Sequence, residues 1–286
     1  MNIKRLGLVA NIRKKEIRDV LSGVMEIIPE SIDVIAKKET AELHSGNRIR
    51  EVDSLEGSDV IIAIGGDGTL LMAARMVERE EIPLLGLKIR SLGFLTEDDP
   101  ERAVNALLNG RYAIEKRLRV EVARVIDGSV KEKFSALNEV VIHGIGVSRV
   151  VHLWTEIDGV MLGEYLADGV IVSTPTGSTA YSLSAGGPIV NPTNVEAFVI
   201  TPLYPHSLSV RPIIVSSSET CTVKVIEGGH EILLTIDGQQ TCMVKTGELI
   251  IFRRSPKVTN LVVIDGYNFY DLVRRKLKWG GVLRER

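Results

Sequence analysis

A run of three glycines and one carboxylate is the part of the chain best suited to chemistry. The segment 65–69, Gly-Gly-Asp-Gly-Thr, directly follows an apolar run at 60–64. Glycine can adopt positive φ and lets backbone N–H groups approach a ligand closely. Apolar residues at helical spacing follow, and the N-terminus of a helix favours anions. The pattern predicts a strand, a phosphate-binding turn and a helix, in which Asp67 either caps the helix or acts on the ligand.

A second candidate lies in the apolar segment 137–142, which an amide and a carboxylate interrupt. Burying Asn138 and Glu139 without partners would be costly. The pair therefore has two interpretations. Either it caps a neighbouring turn, or its strand opens into a cleft where both side chains bind ribose hydroxyls or an amide of a ligand.

The longest polar motif runs from Asp168 to Pro188. Its pattern predicts a strand over 169–173, a turn at Pro175 and a short helix capped by Ser or Thr and ended by glycines. Many hydroxyl groups beside the ring of Tyr181 suit a nucleobase with its ribose. A nucleophilic serine is disfavoured because the motif has neither a Gly-x-Ser-x-Gly elbow nor an evident histidine partner.

Other polar residues have structural interpretations. The spacing of the five histidines indicates no metal site, and four of them are interpreted as structural: His143, His152, His206 and His230. Asp237-Gly238 is typical of a hairpin turn, from which a side chain could reach a ligand. The basic cluster 274–278 is interpreted as favourable charge near a helix C-terminus.

The elements that must position these residues alternate between strand and helix in the first part of the chain. Strands are expected near 3–10, 33–36, 60–64 and 82–87, with helices near 14–28, after the glycine turn, and at 100–109. This alternation is typical of a parallel sheet flanked by helices, whose ligands bind beyond the carboxyl ends of the strands. The glycine turn lies at such an end.

From about residue 117 the apolar period becomes two, and Asp-Gly turn signals occur at 127–128, 158–159 and 237–238. The last segment returns to a strand near 261–264 and a helix over 268–279, which we expect to pack on the first domain. The chain thus divides into an α/β domain, residues 1–115 and 258–286, and a β-rich domain, residues 116–257.

Composition narrows the class of protein. A net charge of −2 over 286 residues gives no large field for nucleic acid or a membrane surface. Two isolated cysteines favour a reducing compartment, and no signal peptide or apolar run near the ~20 residues of a membrane span is evident, so the cytoplasm is expected. A P-loop motif and a complete Gly-x-Gly-x-x-Gly are missing, which disfavours a P-loop enzyme or an ordinary dehydrogenase.

Taken in order, the Gly-Gly-Asp-Gly-Thr turn, Asn138-Glu139 and the segment 174–188 resemble the NAD kinase family. Diacylglycerol, sphingosine and phosphofructo-type kinases share the glycine turn, so the third motif discriminates. The resemblance implies an α/β N-terminal domain, a β-sandwich C-terminal domain and a homodimer or homotetramer. It also implies transfer of a phosphoryl group from ATP or polyphosphate to the adenosine ribose 2′-hydroxyl of NAD, forming NADP.

The same resemblance implies residue roles. Asp67 would be the proton acceptor, and Gly68 would lie beside the substrate. The residues that would bind NAD are Asn138, Glu139, Arg149, Asp168, Thr176, Thr179, Ala180, Tyr181, Ser182, Leu183, Ser184 and Gln239. Phe94, in a Leu-Gly-Phe-Leu run, also matches. Lys88 and Arg90 depart from the family pattern, and our hypothesis is that one of them clamps the donor phosphates.

No cluster in the chain would cage a divalent ion, so Mg²⁺ is expected to bridge the donor phosphates. Two alternative functions remain at this stage. A lipid kinase could share the glycine turn, although it should show an apolar cleft or interfacial segment. A non-catalytic dinucleotide sensor could share the fold.

Overall fold

The computed structural model describes residues 3–77, 82–89, 93–146, 149–228 and 231–280. They form two compact units: one extends to Lys116 and resumes at Thr259, and the other is Arg117–Val258. Up to residue 108 the elements are β1 (Arg5–Ala10), α1 (Ile17–Ile27), β2 (Asp33–Ala36), α2 (Lys38–Ala41), β3 (Ile49–Glu51), β4 (Val60–Gly65), α3 (Asp67–Met76), β5 (Leu84–Lys88) and α4 (Pro100–Leu108).

The rest of the chain is mainly β-strand. Its elements are β6 (Tyr112–Ile126), β7 (Ser129–Ala136), β8 (Glu139–Gly144), β9 (Val151–Ile157), β10 (Val160–Ala167), β11 (Gly169–Ser173), a 3₁₀ turn (Gly177–Thr179), α5 (Tyr181–Ser184), β12 (Ala197–Leu203), β13 (Ile213–Ser216), β14 (Cys221–Gly228), β15 (Ile232–Ile236), β16 (Gln240–Val244), β17 (Leu249–Ile264) and α6 (Phe269–Leu277). The long strands β6 and β17 each begin in one unit and end in the other.

The first unit is built on a parallel sheet. Its strand order is β17-β5-β4-β1-β2-β3, and every adjacent pair is parallel. All six residues of β4 are buried, as a strand with helices on both faces requires. The predicted α/β alternation is confirmed. Two short elements, α2 and β3, were not predicted because four or three residues carry too little periodicity to be recognised.

The second unit is a β-sandwich. One sheet contains β10, β9, β14 and β17, with β6 beside β17 and β7 beside β6, and the other has the order β13-β12-β11-β8-β15-β16. Apolar side chains from both sheets form one buried core, which includes Val122, Leu153 and Val223 from one sheet and Val172 and Leu234 from the other. The predicted β-sandwich is therefore confirmed.

The predicted Asp-Gly turns form as expected. Asp127, Asp158 and Asp237 have φ of 49°, 48° and 49°, and each is followed by a glycine with positive φ. This geometry matches the right-handed twist of the strands that the turns join.

The chain returns to the first unit through the end of β17 and α6, as predicted. Asn268 caps α6, since its Oδ1 accepts hydrogen bonds from the N–H groups of Tyr270 (2.9 Å) and Asp271 (3.2 Å). Lys278 ends the helix in the left-handed conformation, with φ 50°. Within the described residues, no helix combines the length and the apolar character needed to cross a membrane.

Candidate active site

The carboxylate of Asp67 does not cap its own helix. Gly66, with φ 140° and ψ −175°, precedes α3, and no side chain caps the helix. The Asp67 carboxylate instead accepts hydrogen bonds from the N–H groups of Phe94 (2.9 Å) and Leu95 (3.3 Å) and from Oγ1 of Thr96 (2.9 Å). The cap interpretation is therefore wrong. Asp67 is ordered by a loop almost thirty residues away in sequence.

Close packing explains two glycines around Asp67 but not a third. A Cβ at Gly65 would lie 2.3 Å from Oγ1 of Thr69, and a Cβ at Gly93 would lie 2.3 Å from Oδ1 of Asp67. A Cβ at Gly68 would meet no atom of the described residues within 4 Å. Among the described residues, packing therefore leaves room for a side chain at position 68.

Three lysines surround the glycine turn. Lys14 donates from Nζ to the carbonyl oxygen of Gly65, and Nζ of Lys276 lies 4.0 Å from Oδ2 of Asp67. Lys88 is buried at the end of β5, and this burial lowers its pKa although Asp67 and Asp98 oppose the shift. Arg90, the other residue of the charge-clamp hypothesis, lies outside the described residues. Ammonium groups beside a helix N-terminus can bind an anion such as a phosphate chain.

In the second unit, a buried carboxylate fixes the backbone of the second candidate site. Oδ1 of Asp237 accepts hydrogen bonds from the N–H groups of Asn138 (2.7 Å) and Glu139 (3.2 Å), and Oδ2 accepts one from Leu137 (2.9 Å). The sequence identifies the hairpin turn at Asp237 but not this role.

The side chains of Asn138 and Glu139 keep unused hydrogen-bonding atoms. Oδ1 of Asn138 and Oε2 of Glu139 are buried without a hydrogen-bond partner among the described residues. Burial is the main cause that raises the pKa of Glu139 to about 8, and the nearby Asp237 carboxylate adds to it. A hydrogen bond from the N–H of Tyr181 lowers this pKa, because it favours the ionised form. At neutral pH Glu139 is thus largely a neutral carboxylic acid that can donate one hydrogen bond and accept others.

A cavity of about 560 Å³ opens at Glu139. Four residues of the predicted site line it: Glu139, Arg149, Asp168 and Tyr181. They come from separate parts of the chain, and they are four of the twelve residues to which the resemblance assigned NAD binding. An aromatic ring, two acidic groups and a guanidinium around one cavity suit a nucleotide, which offers a flat base, hydroxyl groups and phosphates.

Comparison with known proteins identifies the kind of molecule. The family model described as the ATP-NAD kinase N-terminal domain matches residues 6–112, and the one described as the ATP-NAD kinase C-terminal domain matches residues 137–264. The chain belongs to the NAD kinase family. Its enzymes are phosphotransferases that act on a hydroxyl acceptor.

Curated relatives are similar to this chain over 78–96% of its length. An NAD kinase of Gemmatimonas aurantiaca is 44% identical over 229 residues, 78% of each chain. An NAD kinase of Caldanaerobacter subterraneus is 38% identical over 284 residues, 96% of this chain and 99% of the relative. These relatives favour an NAD kinase over the lipid-kinase and sensor alternatives.

Solved structures show the same fold. The crystal structure of yeast NADH kinase complexed with NADH matches with a TM-score of 0.89 and 25% identity, over 100% of this chain and 91% of that one. The structure of an NAD kinase from Archaeoglobus fulgidus in complex with ATP matches with a TM-score of 0.69 and 23% identity, over 96% of this chain and 98% of that one. The second match supports the fold alone.

Residues of the segment 174–188, the motif that distinguishes the NAD kinase family, form hydrogen bonds within the second unit. Ser178 donates a hydrogen bond to the carbonyl oxygen of Pro175 (2.6 Å), and the hydroxyl of Ser182 lies 2.9 Å from that of Thr201. The predicted binding residues that do not line the cavity in the described structure are Gly68, Asn138, Thr176, Thr179, Ala180, Ser182, Leu183, Ser184 and Gln239. Part of the hydroxyl-rich composition therefore serves hydrogen bonds inside the protein.

Several residues that line the cavity were not predicted, among them His143 and Tyr204. His143 was interpreted as structural, yet it lines the cavity, and its Nε2 lies 3.3 Å from Oγ1 of Thr235. Tyr204 also lines the cavity, is 79% exposed and has φ 47°, which is costly for an aromatic residue. A lone tyrosine after a strand gives no sequence signal for such a conformation.

The raised pKa of Glu139 makes stability depend on pH. The folded protein keeps a proton that the unfolded chain releases, so this contribution is complete below the ordinary pKa of glutamic acid and is lost as pH rises towards about 8. The measured quantity is the difference in unfolding free energy between the wild type and Glu139→Gln. We expect this difference to fall by up to ~1.4 kcal/mol per pH unit between pH 5 and 8 and then to level off. Urea unfolding at a series of pH values measures this difference. A difference that is independent of pH would contradict the assignment.

Proposed function

We propose that this protein transfers the terminal phosphoryl group of ATP, or of polyphosphate, to the adenosine ribose 2′-hydroxyl of NAD and so forms NADP. The observation that carries the proposal is the surroundings of Asp67: an ordered carboxylate at the first turn of α3, with Lys14, Lys88 and Lys276 nearby and open space beside Gly68. Phosphoryl transfer needs this combination of positioning and positive charge more than it needs a strong base.

In the proposed reaction, the oxygen of the acceptor hydroxyl forms a bond to the terminal phosphorus of the donor. The bond from that phosphorus to its bridging oxygen breaks, and the electron pair stays on the departing diphosphate. Asp67 orients the hydroxyl and takes its proton late in the transfer, before passing it to solvent. The N–H groups at the start of α3 and the lysines stabilise the phosphate charge.

The cavity of the second unit is proposed to bind the dinucleotide. The neutral Glu139 carboxyl and Asp168 suit sugar hydroxyls or the carboxamide, because each needs both donors and acceptors. The exposed rings of Tyr181 and Tyr204 offer faces for stacking, and Arg149 offers a charged partner for the pyrophosphate.

A divalent ion is proposed to arrive with the donor. Among the described residues, no group of three or more His, Cys, Asp or Glu side chains is arranged to hold a metal. Mg²⁺ commonly keeps several waters and binds through substrate phosphates, so it needs no protein cage here. When bound, it would neutralise phosphate charge during transfer.

The test is direct. The purified protein is incubated with Mg²⁺, NAD and ATP, and NADP is detected with a dehydrogenase that is specific for NADP. Parallel reactions replace ATP by polyphosphate and NAD by NADH, which identifies the donor and acceptor range. Tight NAD binding without any product would contradict the proposal and favour the sensor, whereas phosphorylation of diacylglycerol or sphingosine instead would favour the lipid kinase.

We also propose that the protein is a homodimer or homotetramer in the cytoplasm. The outer strand β10 exposes apolar side chains, among them Val160 at 71% and Met161 at 54%, and exposed apolar edges favour association. Both cysteines, Cys221 and Cys242, are free, as a reducing compartment favours. Light scattering should report a mass of two or four times 31.4 kDa. A mass of 31.4 kDa at assay concentration would contradict self-association.

A further inference from the structure

Lys276, near the end of α6, lies beside Asp67. Its Nζ is 4.0 Å from Oδ2 of Asp67 and also 4.0 Å from the centroid of the Phe94 ring. Phe94 belongs to the loop whose N–H groups order Asp67. The same ammonium group therefore lies against both the carboxylate and the loop that holds it. The sequence pattern had indicated only favourable charge at a helix C-terminus.

The ammonium group of Lys276 has unused hydrogen-bonding capacity. A separation of 4.0 Å is longer than the ~2.7–3.2 Å of a hydrogen bond, and in the described parts of the chain Nζ donates none. The side chain is only 25% exposed, and burial lowers the pKa of Lys276. A half-buried cation that donates no hydrogen bond among the described residues is poised to bind an anion.

Several contacts other than those of Lys276 attach α6 to the first unit. Phe269 and Val273 are the buried residues of the helix, and Asn268 caps its start. Nη2 of Arg275 lies 2.6 Å from Oδ2 of Asp98, which joins the helix to the segment after Phe94. Because these contacts already anchor α6, the position of Lys276 calls for another explanation.

The charged groups around Asp67 come from several elements. They lie after β1 (Lys14), at the end of β5 (Lys88), before α4 (Asp98) and on α6 (Lys276). The charges of Asp67 and Asp98 raise the pKa of Lys276, and the charge of Lys88 lowers it. Among the described residues, these three lysines outnumber the two carboxylates, one of which, Asp98, also pairs with Arg275, so the local charge is positive. A phosphate chain would compensate this charge.

We propose that Lys276 is a catalytic residue that binds the terminal phosphoryl group of the donor during transfer. This inference rests on the proposed function and adds a residue to it. As the acceptor oxygen bonds to phosphorus and the bond to the bridging oxygen breaks, the Lys276 ammonium donates hydrogen bonds to the oxygens of the moving phosphoryl group. It stays protonated throughout, and the hydroxyl proton goes to Asp67.

The first test measures binding without turnover. Lys276→Met keeps a flexible apolar contact with Phe94 and removes the charge. Calorimetry with inorganic tripolyphosphate should show affinity lower by about tenfold or more, the fold-change of a lost charge-assisted hydrogen bond. The control Arg274→Met removes a charge two residues away that pairs with Asp271 at the surface, and its affinity should match the wild type. Equal affinities for Lys276→Met and wild type would overturn the proposal.

The second test measures transfer. Lys276→Met should lower kcat by about 10²-fold with an unchanged KM for NAD, as loss of one charge-stabilising group does. In Lys276→Arg, kcat should largely return, and the alkaline limb of the kcat–pH profile should move to higher pH, because guanidinium stays protonated. A purely structural role would lower stability without moving this limb.

Lys88 supplies the comparison, because burial also lowers its pKa. An alkaline limb that moves in Lys88→Arg but not in Lys276→Arg would assign the titrating cation to Lys88 and overturn the proposal. Wild-type protein that makes no NADP from NAD and ATP would overturn the proposed function itself. Active wild type with an equally active Lys276→Met would overturn only the role of Lys276.

Discussion

Replacing Asp67 by asparagine should reduce NADP formation by about 10³-fold while NAD still binds. The amide has nearly the shape of the carboxylate, and its oxygen can still accept hydrogen bonds from the N–H of Phe94 or the hydroxyl of Thr96. It cannot take the proton of the acceptor hydroxyl. Steady-state rates of NADP formation and calorimetry with NAD measure the two effects separately.

A second variant separates proton acceptance from loop ordering. Thr96→Val removes one of the three hydrogen bonds to Asp67 and leaves the carboxylate in place. If Asp67 contributes to activity mainly by accepting the proton and by its charge, and less by ordering the loop, Thr96→Val should lose far less activity than Asp67→Asn. Similar losses in the two variants would assign Asp67 to loop ordering alone, and wild-type turnover in Asp67→Asn would refute its role.

The main features of the fold could be predicted from sequence because they are encoded locally. The strand β4, its glycine turn and α3 follow one another within about seventeen residues, and each has its own signal: an apolar run, glycines and helical spacing. The Asp-Gly hairpins are equally local. Short polar elements such as α2 lack such a signal, and the structure alone shows them.

The candidate site could be predicted only in part, because its decisive contacts join distant segments. Asp67 reaches residues 94–96, and Lys276 comes from a helix about two hundred residues later. No periodicity or spacing connects these positions. The motifs therefore indicated Asp67 as a candidate proton acceptor, but they predicted neither its hydrogen bonds to residues 94–96 nor the cation beside it.

The contacts of Asp237 with the segment 137–139 could not be predicted from sequence either. Replacing Asp237 is expected to have the second large effect, a loss of stability. Asp237→Ala should lower the unfolding free energy by about 3 kcal/mol more than Asp127→Ala does. Without the carboxylate, three N–H groups in the segment 137–139 lose their acceptor, at roughly 1–3 kcal/mol each, and removal of a buried acidic group offsets part of this cost. Urea unfolding of the full-length variants measures the difference.

Asp127→Ala is the matched control because the two aspartates share a backbone setting. Both open an Asp-Gly hairpin with φ 49°, so alanine suffers the same left-handed strain in each, but Asp127 is exposed at its turn. The comparison therefore isolates the buried carboxylate from the turn. Equal losses in the two variants would mean that position 237 matters only for its backbone conformation.

The expected consequence of Asp237→Ala extends from stability to binding. Asp237 fixes the backbone that carries Asn138 and Glu139, and its charge helps to raise the pKa of Glu139. Removing it should loosen both side chains and lower that pKa, although burial, the larger cause, still raises it; a larger share of Glu139 is then ionised and cannot donate a hydrogen bond. NAD affinity should then fall in Asp237→Ala and stay unchanged in Asp127→Ala. Because a turn residue about a hundred positions away holds the backbone of Glu139 and contributes to its raised pKa, the turn and the cavity work as one unit.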